Sequence, residues 1–218
     1  MHENELGIVL KHAPGSSHKI SVLTTSYGKM MTVILDHRIM QRIQSGALIQ
    51  LHGGKLQGNI LVPTNTSLLS IPIPRNTHDL YWLHHLLELC YFFLPLHQPV
   101  RDVFMLLQHS CIFATLDHAD DPGWDVFKKN IVGAFMILFG FFPPESLKKP
   151  LYAIKNSLLL FIDFDPEQKV EFVTKHMRMV GTIPLAQLNA WLITCIKTHP
   201  RMKAFKTLDF VYKSSTTV

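Results

Sequence analysis

Residues 6–35 (LGIVLKHAPGSSHKISVLTTSYGKMMTVIL) constrain the fold more than any other stretch. Leu6–Leu10 is apolar and β-rich and is stopped by Pro14-Gly15-Ser16. Lys19–Thr25 alternates apolar or β-branched residues with polar ones, and Met30–Leu35 is apolar and β-branched again. Between the last two lies Ser26-Tyr27-Gly28-Lys29, where Gly28 supplies the positive φ that a tight hairpin turn requires. Three antiparallel strands in succession, with more short strands to follow, predict a small barrel or sandwich. Neither a lone helix nor a parallel nucleotide fold opens this way.

Ala47–Leu51 and Leu56–Val62 predict a second hairpin around His52-Gly53-Gly54-Lys55, and Leu68–Ile73 a weaker extended piece ending in prolines. Five strands and a tail within about 70 residues is the count of an OB-type barrel. Asp36–Gly46 is read as a long, polar, basic binding loop. Near residues 73–77 the prolines end the strand pattern and helical periodicity takes over. Thr77 caps a helix that runs to Pro95, and Pro99 opens a second through about Thr115. His118–Gly123 is a turn, Trp124–Phe142 a buried helix, and Glu145–Phe161 a helix whose start Pro150 obscures. Further helices are expected from Asp165-Pro166-Glu167 to about Met179 and over Leu185–Lys197. The expected fold is α+β: an N-terminal OB-fold β-barrel over 1–75, then an all-α helical domain over 76–218.

At 218 residues and 47% hydrophobic composition, the chain fills a core without difficulty. The longest uncharged run, Asn130–Pro144, is too short to span a bilayer, and no basic-plus-apolar leader opens the sequence. The three cysteines, Cys90, Cys111 and Cys195, are scattered and form no CxxC. A cytoplasmic protein without membrane contact is therefore expected. The net charge of +5 is uneven. Residues 1–75 carry seven Lys/Arg against three Asp/Glu, residues 76–145 three against eight, and residues 146–218 eleven against five. A polyanion would meet the two basic ends, although many basic proteins bind no nucleic acid.

No catalytic signature is present, so no enzyme activity and no cofactor are expected. Gly54-Lys55 is not the end of a phosphate loop, because Ile49 stands at the first glycine position and Leu56 where Ser or Thr would reach magnesium. His84, His85, His97, His109 and His118, with Asp117, Asp120 and Asp121, offer no complete metal-ligand set; for the adjacent His84 and His85, the pair His84/Glu88 is geometrically possible, but surface histidines on helices are far commoner. Ser16/Ser17 beside His18 lack a neighbouring acid. What remains is a binding surface. Lys29, Arg38, Arg42 and Lys55 are the candidate DNA-binding cations, with Tyr27 as a stacking group and His37 nearby. The bland alternative packs Tyr27 on its hairpin and leaves the cations solvated. The C-terminal cations Arg201, Lys203 and Lys206 fit either phosphate or an acidic partner peptide, while Met202, Phe205, Leu208 and Val211 suggest a docked face.

Several short segments, in order from end to end, resemble the RecO family of bacterial recombination mediators. Leu6–Lys11, His18–Ile20 and Leu23-Thr24 look like its opening strands, and Tyr27-Gly28-Lys29 like its turn. Ser45–Gln50 looks like its approach to the fourth strand, Ile137–Pro143 like its Gly-aromatic-x-Pro helix end, and Lys206–Val211 like its C-terminal signature. The resemblance implies an OB-fold that binds single- and double-stranded DNA and anneals complementary strands. It also implies partnership with RecR and docking on the acidic, phenylalanine-ended C-terminal tail of the single-strand binding protein, SSB. Two features depart from the family. Residues 143–184 contain no cysteine, so its four-cysteine zinc module is missing, and Asp36–Gly46 offers only Arg38 and Arg42.

Overall fold

The computed structural model describes residues 4–13, 15–16, 18–116, 123–159, 183–202 and 205–207. The chain divides into two compact units, Met1–Thr115 and Leu116–Val218.

The first unit is built on a seven-stranded mixed sheet: β1 (Asn4–His12), β2 (Lys19–Thr24), β3 (Gly28–Val33), β4 (Leu48–His52), β5 (Lys55–Gln57), β6 (Ile60–Val62) and β7 (Asn65–Ser70). Its order is β5-β6-β3-β2-β1-β4-β7. The opening meander forms as expected, with Gly7 opposite Thr24 and Leu23 opposite Lys29. Gly28 has φ +70°, and a Cβ there would lie 1.9 Å from the carbonyl oxygen of Gln98. Glycine is therefore needed twice, for the turn and for the approaching backbone.

The second hairpin does not pair as the sequence suggested. Both edges of β4 are taken, one by β1 and the other by β7, so β5 has no edge there to join. It folds back on β6 instead, through a turn in which Gly58 has φ +58°. The segment expected as one strand over 56–62 is thus two, and β6 adds parallel to β3. The expected extended piece at 68–73 is shifted toward its N-terminus and forms the full edge strand β7. Among the described residues no ladder joins β5 or β6 to β4 or β7, so the sheet is open; a closed barrel is not what forms.

The supposed loop 36–46 contains helix α1 (His37–Arg42). Asp36 caps it, accepting from the amides of Arg38 and Ile39 at 2.8 and 3.2 Å. Met40 and Ile43 turn inward onto a core of Val9, Ile20, Val22, Met30, Ile34, Ile49, Leu51 and Leu61. Burial of these apolar groups fixes the helix, which is too short to persist alone.

Helices α2 (Thr77–Phe93) and α3 (Arg101–Phe113) belong to this first unit, with α2 against β1 and α3. The strands end where the prolines predicted, but the compact unit continues to Thr115. Asn76, one residue before the expected cap, closes α2 reciprocally: its side chain accepts from the Asp79 amide at 2.8 Å and donates to the Asp79 carboxylate at 2.9 Å.

In the second unit α4 (Gly123–Leu138) packs on α5 (Glu145–Leu159) and α6 (Leu185–Lys197). Pro150 lies inside α5; Leu147, Leu151, Ile154 and Leu158, buried at helical spacing, hold the helix through it. The helix expected at 165–179 lies outside the described residues. The architecture is α+β, a mixed sheet followed by helices.

Candidate nucleic-acid interface

The two ends of the meander differ. At the β2–β3 turn, the five residues 94–98 that follow α2 lie along the start of β3. The His97 amide donates to the Lys29 carbonyl at 2.9 Å, and Leu96 forms a parallel bridge with Lys29. Lys29 itself is 9% exposed. Its ammonium donates to the Tyr91 carbonyl oxygen at 2.6 Å and lies 5.5 Å from the centre of the Tyr91 ring. Tyr27 is half-buried and packs against the sheet core. Its amide donates to the Thr24 hydroxyl at 3.1 Å, while the buried Glu5 carboxylate accepts from the Ser26 amide and the Thr25 hydroxyl at 2.6 and 2.8 Å. The Tyr27-Gly28-Lys29 segment is therefore an internal seam between sheet and helix. As a cation, Lys29 is spent on the fold.

The other end is open. β3 runs away from that turn, and about 16 Å of strand, at about 3.3 Å per residue, separates Lys29 from Ile34. There His18, closing the β1–β2 connection, exchanges bonds with Ile34: the Ile34 amide donates to the His18 carbonyl at 2.9 Å, and His18 Nδ1 lies 3.1 Å from the Ile34 carbonyl. His37 follows at the start of α1, its ring centre 6.3 Å from that of His18. Arg38 and Arg42, both exposed, are spaced i,i+4 and so share one side of α1.

Strand register brings two lysines to the same end. Lys19 pairs with Val33 on β3. β6 runs parallel to β3 with Ile60 level with Met31 and Leu61 level with Thr32, which continues to Val62 level with Val33. Lys55 pairs with Val62. Exposed Lys19 and Lys55 thus lie in one row across four strands, on the order of 14 Å at about 4.8 Å per strand. Of the five residues singled out in the sequence for DNA, the structure brings Arg38, Arg42 and Lys55 to this end. It puts Tyr27 and Lys29 at the other. Lys19 and His18 were missed; every β2 residue after Lys19 is buried, so the polar alternation of the sequence was no guide to exposure.

Two other features bear on binding. An apolar cavity of about 290 Å³ lies in the first unit, lined by Ile8, Leu48, Ile71, Pro72, Cys111 and Ile112 among others. Burial pushes the Cys111 thiol up to about 12, so it is a neutral, poorly nucleophilic group. At the end of the second unit Arg201 and Lys206 are exposed, while Phe205 is buried against the His199 ring. Lys203 lies outside the described residues. Among those residues no group of three His, Cys, Asp or Glu side chains is arranged to hold a metal, and no helix is long and apolar enough to cross a membrane.

No model of a known protein family matches the chain, and no curated protein is significantly similar to it in sequence.

Proposed function

We propose that this protein is a RecO-like, non-enzymatic DNA-repair and recombination mediator of the cytoplasm. It binds single- and double-stranded DNA without sequence preference through the open end of its sheet, and promotes strand annealing. The carrying observation is the gathering of exposed Lys19, Arg38, Arg42 and Lys55 at one end of one sheet. Phosphate contacts of this kind position a polyanion but read no bases.

The fold reading behind it is an OB-type barrel. In support, a three-stranded meander is followed by a helix, then by a strand antiparallel to β1 and one parallel to β3. OB barrels are Greek-key and partly open, and bind oligonucleotides at the β1–β2 connection and its neighbours. The partner reading places RecR and the SSB tail on the helical side. Exposed Arg201 and Lys206, both in the second unit, suit an acidic peptide.

A salt titration of DNA binding tests the main claim. Log K should fall linearly with log[salt], by about 0.7 per phosphate contact on a single strand. A flat response overturns it. A second reading, a protein-interaction adaptor with little DNA affinity, is favoured by the burial of Lys29 and the packing of half-buried Tyr27 against the sheet core. An adaptor binds the SSB-tail peptide and fails on DNA.

A further inference from the structure

The end of the sheet that carries the exposed cations also carries two imidazoles. His18 and His37 have ring centres 6.3 Å apart and planes tilted by 56°, with His37 exposed and His18 half-buried. The Ile34 carbonyl accepts only, so the His18 hydrogen resides on Nδ1 in the neutral ring. Nε2 is then a bare acceptor on the far side of the ring. A second proton turns it into a donor.

Lys19 follows His18 at the start of β2, and Arg38 follows His37 on α1. Asp36, next to His37 in sequence, uses Oδ1 to accept from the Arg38 and Ile39 amides. His12, at the end of β1, is a third imidazole on these elements. A proton gained by either ring adds positive charge to an end that already carries Lys19 and Arg38. A phosphodiester brings the missing negative charge and acceptor oxygens together.

We infer that His18 and His37, with Arg38, form a phosphate subsite that takes up protons from solvent as single-stranded DNA binds. The inference rests on the DNA-binding reading above and adds its regulation: affinity rises as pH falls through the range where imidazole titrates. By linkage, each proton taken up per strand bound changes the binding constant by up to about tenfold per pH unit.

The probe is a fluorescent thymidine homopolymer, whose bases take no proton in this range, titrated by anisotropy at constant ionic strength. From about pH 8 to about pH 6 the wild-type protein should bind roughly three- to tenfold more tightly or better. The salt slope should steepen by about 0.7 for each imidazole that gains a proton. His37→Gln, at an exposed position, should cut the pH response. His18→Gln with His37→Gln should abolish it, the glutamine amide still able to donate to the Ile34 carbonyl. A pH response that survives intact in both variants overturns this inference and leaves the DNA reading standing. Absence of binding at both pH values and low salt overturns the DNA reading, and this inference with it.

Discussion

Lys19 and Lys29 stand on adjacent strands of one hairpin, and their circumstances are opposite. Lys19 is exposed at the end where the β1–β2 connection meets α1. Lys29 is buried beneath the segment that links α2 to α3, its ammonium on the Tyr91 carbonyl. Both are cations in turn-flanking positions, and local sequence does not separate them. What separates them is a piece of chain more than sixty residues further on. A lysine contributes to a polyanion surface only if nothing later in the chain covers it.

The same contrast holds among the histidines, and it carries the largest effect. His85 is fully buried on α2, and burial lowers its pKa to about 3. Such a group takes its proton more readily in the unfolded chain. Stability is therefore complete above the ordinary imidazole range near 6.5 and is lost as pH falls toward about 3. The full loss is on the order of 5 kcal/mol. Denaturant midpoints across this window should fall steeply, and less so in His85→Leu. An equally steep fall in the variant assigns the acid response elsewhere.

Gly28→Ala comes next, with a loss of about 3 kcal/mol or more, since it combines a positive φ with a Cβ driven into the Gln98 backbone. A change within about 1 kcal/mol would mean that the segment after α2 is not seated on the turn as described. Lys29→Met should cost about 2 kcal/mol by leaving the Tyr91 carbonyl without its charged donor, and should leave the salt slope of DNA binding unchanged. If the slope becomes shallower instead, Lys29 reaches phosphate and the sealed end is open.

The strands of the meander, the turn at Gly28 and most helix positions were legible because each is signalled within a few residues. The pairing of β5 with β6 was not. Its cause is competition for the edges of β4, which depends on β1 and β7 together. Helix α1 was missed because six residues with Arg38, Gln41 and Arg42 look like a polar loop. Only the inward spacing of Met40 and Ile43 marks the core side. The site was half legible for the same reason. Arg38, Arg42 and Lys55 stand out by charge, while the burial of Lys29 required knowledge of a long-range contact. Similarly, Lys128 and Lys129 are almost fully buried on α4, where their charge would suggest solvent. Lys128 reaches Asp125 at 3.0 Å, and Lys129 has its pKa lowered chiefly by desolvation.

The smallest effect is the most discriminating. Lys19→Gln removes one exposed cation whose backbone pairing with Val33 does not depend on the side chain. Stability should therefore stay within about 0.5 kcal/mol of wild type. If Lys19 contacts a phosphate, the salt slope for a single strand should become shallower by about 0.7, the release of one condensed counterion. That signature is the converse of the one expected for Lys29→Met, which changes stability and spares the slope. The two variants carry the same loss of charge, so any general electrostatic effect of the protein on DNA appears equally in both. A difference in slope between them isolates where the charge stands. Equal slopes would mean that long-range attraction, rather than contact at the open end, holds the DNA, and the interface assigned to Lys19, Arg38, Arg42 and Lys55 would dissolve into a diffuse field.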